Sequence, residues 1–223
     1  MTTTASTPLT APPAATASAP PRLLSQPSAV WAIAFAAMVA FMGIGLVGPI
    51  LPTVAADLHA TPVQTSLLFT SYLAVTASAM FFTSWLSTRI GTRAVMIIGL
   101  AVIALAAVGC ALSPTVGALI AFRAVWGLGN ALFLSTALAS IVSASGGRSE
   151  HAVILYEAAL GIGLAVGPLV GGLLGQIGWF APFWGTASLF AVGVVALVAL
   201  VHDPGRSGRR SALSAPFRAF ADR

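Results

Sequence analysis

Six long stretches follow one another along the chain, near residues 30–52, 64–86, 94–112, 115–143, 152–175 and 182–201; four carry no charged side chain and two carry one each, Arg123 and Glu157. A bilayer crossing takes about 20 predominantly apolar residues. Every backbone N–H and C=O inside it must be bonded within the protein, which only helices and closed barrels achieve. Stretches this long and neutral therefore predict six transmembrane helices, an all-α integral membrane fold. The composition agrees: 7% of residues are charged and 58% hydrophobic, whereas a soluble domain carries roughly 25% charged residues.

The breaks carry their own signals. Thr61-Pro62-Val63-Gln64 is a capping box with proline at the first helical position, so the second helix is expected to start at Thr61 or Pro62. Ser113-Pro114 and Ala181-Pro182 place proline at the expected starts of spans four and six, where a missing N–H costs nothing. Residues 1–29 are Thr, Ala, Ser and Pro with one charge, Arg22. Such a mixture buries too little apolar surface to offset chain entropy, and a disordered cytoplasmic tail is expected there.

The formal net charge of +5 does not point to nucleic acid, because the basic residues are scattered singly, without a basic helix or interleaved aromatics. They read as topology signals. Arg22, Arg89, Arg93, Arg148 and the arginines after span six (Arg206, Arg209, Arg210, Arg218, Arg223) all fall in connections on one side, while the opposite loops hold no Lys or Arg. By the positive-inside rule both ends of the chain are cytoplasmic. Arginine without lysine, with abundant Ala and Gly, suggests a GC-rich bacterial genome and hence the plasma membrane. The single cysteine, Cys110, allows no internal disulfide. His59, His151 and His202 lack metal-ligand spacing, so neither a metal nor a cofactor is expected, and no clustered catalytic set suggests an enzyme.

Within the spans a few residues stand out. Arg123, Gly127, Asn130 and Leu134 share one face of span four, so a cation points into the bundle. About 10 Å below the boundary by helical rise, it either lines a polar cavity with Asn130 or snorkels outward. Gly163, Gly167 and Gly171 form a smooth stripe on span five, interrupted by Pro168 and followed by Gly172. That spacing admits a closely approaching helix backbone, within this chain or from elsewhere. Glu157 is the only carboxylate inside a span, and is either a proton carrier or the static partner of Arg89 or Arg93. Tyr72, Thr76 and Thr83 share a face of span two; they line a polar path unless their hydroxyls bond their own backbone.

These motifs resemble the major facilitator superfamily, in particular its drug:proton antiporter branch. Ser84 to Arg93 resembles the signature G-x-L-a-D-R-x-G-x-R, with Ser84 in place of glycine and Thr88 in place of aspartate. The resemblance makes Arg89, Gly91 and Arg93 a loop that couples to the conformational cycle. R-x-x-x-G-x-G from Arg123 and G-x-x-x-G-P-x-x-G-G from Gly163 to Gly172 match two further motifs of that branch. The first implies a role for Arg123 in proton coupling; the second implies a helix packed against the other half of the transporter. Over residues 30–223 the implied fold is the N-terminal half of a major facilitator fold: two inverted three-helix repeats over 30–202, then the start of an inter-half loop over 203–223. The implied function is proton-coupled efflux of small amphipathic compounds or drugs by alternating access, with a second six-helix half as partner. The alternative is a split or truncated half that is inactive alone. The acidic residue common in first helices of the family is absent from span one.

Overall fold

The computed structural model describes residues 26–201. The loop expected over 203–223, most of the expected tail, Arg22, His202 and the arginines after span six lie outside the described residues.

Among the described residues seven helices follow in order: α1 (Ser28–Gly45), α2 (Val47–Asp57), α3 (Pro62–Ile90), α4 (Thr92–Ala111), α5 (Val116–Ala144), α6 (Ser149–Gly175) and α7 (Ala181–Leu200). Six are long and apolar enough to cross a membrane. α2 is shorter and prolongs the first span, so that span runs to Asp57 and does not stop at Pro52. Pro49 cannot donate to the Gly45 carbonyl and its ring crowds that carbonyl, which explains a break at Leu46 one turn earlier. The Leu46 N–H still bonds Met42 O at 3.1 Å. Beyond the break, Val47, Ile50 and Val54 are buried while Pro49 and Pro52 face outward, so packing on one side carries the helix past both prolines. Leu58 and His59 close it. His59 takes a left-handed φ of 50°, and Ala60 N–H reaches back to Ala55 O at 3.1 Å.

α3 begins where its capping box predicts: Thr61 Oγ1 accepts from the Gln64 N–H at 3.3 Å, and Gln64 Oε1 accepts from the Thr61 N–H at 2.9 Å. Pro114 sits ahead of the α5 N-cap, which is Thr115, accepting from the Ala118 N–H at 3.2 Å. α3 and α4 are joined by Gly91 alone, at φ 91° and ψ 148°. An L side chain is strained in that region by about 1–3 kcal/mol. Gly91→Ala is expected to lower the melting temperature of the purified protein in detergent without changing its far-ultraviolet helix signal; an unchanged melting temperature would show that the linker relaxes freely.

α5 packs mainly against α3 and α4, α1 against α6 and α7, and α4 against α7. Exchanging spans one to three for spans four to six maps each of these pairs onto another or onto itself. Three crossings reverse the chain direction, so the two repeats are inverted. At the α4–α5 crossing the backbones nearly touch: a Cβ on Gly99 would lie 2.8 Å from Gly129 O, and one on Gly129 would lie 2.7 Å from Gly99 O. Trp126 of α5 meets Phe183 and Phe190 of α7 edge to face, at ring distances of 6.2 and 5.6 Å.

Candidate functional site

The junction of α1, α3 and α5 holds the one charged side chain buried among the described residues. Arg123 is fully enclosed, 0% exposed, so it does not snorkel. Its guanidinium lies over the Tyr72 ring at 4.6 Å and the Trp126 ring at 5.0 Å. Its Nε–H points to Leu68 O at 3.5 Å and its Nη1–H to Gly43 O at 3.4 Å. Helical spacing explains the arrangement. Trp126 stands one turn beyond Arg123 on α5, and Leu68 and Tyr72 are one turn apart on the buried side of α3.

Asn130, on the same face of α5, donates its Nδ2–H to Tyr72 Oη at 2.7 Å. Thr76 Oγ1 lies within bonding distance of Tyr72 O at 2.7 Å and of Gly127 O at 3.0 Å. Thr83 bonds Met80 O at 2.8 Å. The hydroxyls of Thr76 and Thr83 are thus occupied by backbone, and Tyr72 is the member of that face that reaches the cation. Gly127 makes the approach of α3 to α5 feasible, because a Cβ there would fall against the Tyr72 carbonyl. The two glycines of the α5 motif therefore serve different neighbours, Gly127 facing α3 and Gly129 facing α4.

The remaining candidates lie elsewhere. Gly163, Gly167 and Gly171 are buried against the backbone of the first span: their missing Cβ atoms would meet the carbonyls of Met38, Met42 and Leu46. That stripe is not exposed, so it is not the surface that awaits another helix, and the neighbour it admits belongs to this chain. Pro168 lies against Gly45, Gly172 is half-buried, and the open side of α6 carries Ile162, Leu164, Leu169 and Leu173. Glu157 is exposed on α6, and the groups that touch Arg123 do not include it. Arg89 lies 5.3 Å from the Trp85 ring centroid, and Arg93 Nη2–H donates to Val198 O at 3.0 Å. The latter contact places the start of α4 beside the end of α7, on one side of the bundle. Trp126, Gly43 and Leu68 were not candidates from sequence; only the i, i+3 spacing of Arg123 and Trp126 signals one of them.

The family model described as Major Facilitator Superfamily matches residues 33–222. The chain belongs to the Major Facilitator Superfamily. Among its relatives, the multidrug efflux protein YfmO of Bacillus subtilis (strain 168) is 56% identical over 176 residues, 78% of this chain and 44% of that protein. The tetracenomycin C resistance and export protein of Streptomyces glaucescens is 31% identical over 170 residues, 75% of this chain and 31% of that protein. The solved peptide transporter POT in complex with sulfate aligns over 87% of this chain and 44% of its own, with a TM-score of 0.69 at 19% identity. That likeness shows a shared fold. The chain spans under half the length of each of these proteins.

Proposed function

We propose that this stretch forms the first six-helix half of a secondary transporter that exports small amphipathic compounds in exchange for protons by alternating access. It would sit in a bacterial plasma membrane with both ends cytoplasmic. The observation that carries this reading is the enclosed cation at the α1–α3–α5 junction. A charge held inside a membrane bundle is costly and marks a transport pathway rather than a packing device. The names of the efflux and export relatives support the direction and the cargo class.

Arg123 keeps its proton at any working pH, so it is not the carrier. Glu157, the carboxylate inside the fifth apolar stretch, is the proposed carrier, and it lies on the exposed side of α6. α3 and α6 bury only 17% and 22% of their most apolar stretches, against 56% for α1 and α5. A second six-helix half is proposed to pack on those two helices, the surrounding bilayer covering the rest. The test is flux in proteoliposomes under an imposed pH gradient. In the intact transporter, Glu157→Gln is expected to abolish the dependence of efflux on the gradient, and the 223-residue chain alone is expected to give no flux. Unchanged coupling in the variant would remove Glu157 from the carrier role.

A further inference from the structure

The buried cation has no counter-charge among the described residues. Guanidinium offers five N–H donors, yet the two bonds Arg123 makes, at 3.4 and 3.5 Å, are longer than the usual 2.7–3.2 Å range. Its Nη2 has no partner, and neither do Trp126 Nε1 and Asn130 Oδ1, although all three residues are 0–1% exposed. The buried polar and charged residues among those described include no Asp or Glu. The rings of Tyr72 and Trp126 attract the guanidinium but neutralise none of its charge.

Arg123 and Trp126 lie together against Gly43: the arginine bonds its carbonyl, and a Cβ there would stand 2.6 Å from the indole ring. We propose that the open edge of Arg123 and the neighbouring indole N–H form a recognition point for a carboxylate carried by the exported compound. A planar guanidinium matches a carboxylate in a two-point fork, which a lysine ammonium does not reproduce. A cationic compound meets only repulsion there. The site therefore selects acid-bearing amphiphiles over amines of the same shape. This inference rests on the transport reading above, since the junction is closed in this structure and α1 must part from α3 and α5 during the transport cycle to admit the carboxylate.

The test uses the intact transporter in lipid nanodiscs with ¹⁵N-labelled tryptophan. Benzoate and benzylammonium serve as matched probes of opposite charge. Benzoate is expected to shift the Trp126 indole signal saturably, and benzylammonium to leave it in place. Arg123→Gln is expected to weaken the benzoate response by about tenfold or more, the loss of a charge-assisted hydrogen bond. The indole signals of Trp31, Trp85, Trp179 and Trp184 report whether that variant is folded; if they disperse, Arg123→Lys decides, since it keeps the charge without the fork. Absence of a saturable shift, an equal response to both probes, or undiminished binding in the folded variant overturns the proposal. Flux of the same probes through the intact transporter separates the two readings. Benzoate binding without flux removes the transport function and leaves the site, whereas flux of a cationic dye without a Trp126 response removes the site and leaves transport.

Discussion

Replacing Gly167 with leucine is expected to unseat α6 from the first span, while the same change at Gly161, about 1.7 turns away, is expected to be tolerated. A Cβ on Gly167 would stand 2.6 Å from Met42 O and 2.9 Å from Gly45 Cα, backbone atoms that cannot rotate aside. A Cβ on Gly161 would meet nothing within 4 Å. Forcing side-chain volume into a packed contact costs about 1–3 kcal/mol where neighbours can shift, and helix backbones shift less readily, so a loss of at least about 3 kcal/mol is expected. Gly161→Leu gains about 1 kcal/mol of helix propensity in principle. Thermal unfolding in detergent, followed by the loss of a monodisperse size-exclusion peak, compares the two. Equal behaviour of both variants would contradict the α1–α6 contact described above.

Tyr72→Leu is expected to do more damage than Tyr72→Phe. The phenyl ring of the second variant still lies under Arg123, and only the acceptor for Asn130 Nδ2 is lost, at a cost of about 1–3 kcal/mol for the amide left unpaired in the interior. Leucine removes the π face as well. A desolvated cation–π contact is worth about 2 kcal/mol, so the expected total is about 3–5 kcal/mol. A phenylalanine variant as unstable as the leucine variant would show that the hydroxyl bond to Asn130, and not the ring under Arg123, carries the stabilisation.

What the sequence makes legible here is local. The capping box at Thr61 lies within four residues and forms as its spacing predicts. The end of the first span depends on which side of the helix a proline occupies. Pro52 reads as a stop, but burial of Val47, Ile50 and Val54 on the opposite face carries the helix beyond it. The glycine stripe announces that some helix comes close without saying which, since the partner contributes backbone carbonyls, and carbonyls have no residue signature. The same reason hides half of the Arg123 surroundings. Its place on an inward face follows from helical spacing, whereas the oxygens of Gly43 and Leu68 come from other helices. The departure of α3 to one side of α5 and α4 to the other is written in Gly127 and Gly129, but two glycines two residues apart do not name their neighbours.

The contact between Gly45 and Pro168 bears on how the bundle bends. Proline 49 withholds a hydrogen bond from the Gly45 carbonyl, and Pro168 withholds one from the Leu164 carbonyl. A Cβ on Gly45 would stand 2.8 Å from the Pro168 ring and 3.2 Å from that same Leu164 oxygen. Both rods are thus softened at one depth, side by side. Beyond that depth Gly171 rests on Leu46 and Gly175 faces Ile50 of α2, so α2 and the last turns of α6 pack on each other. Flexural compliance in this pair is concentrated in a single shared hinge plane, and a tilt imposed on either far end is delivered to the other.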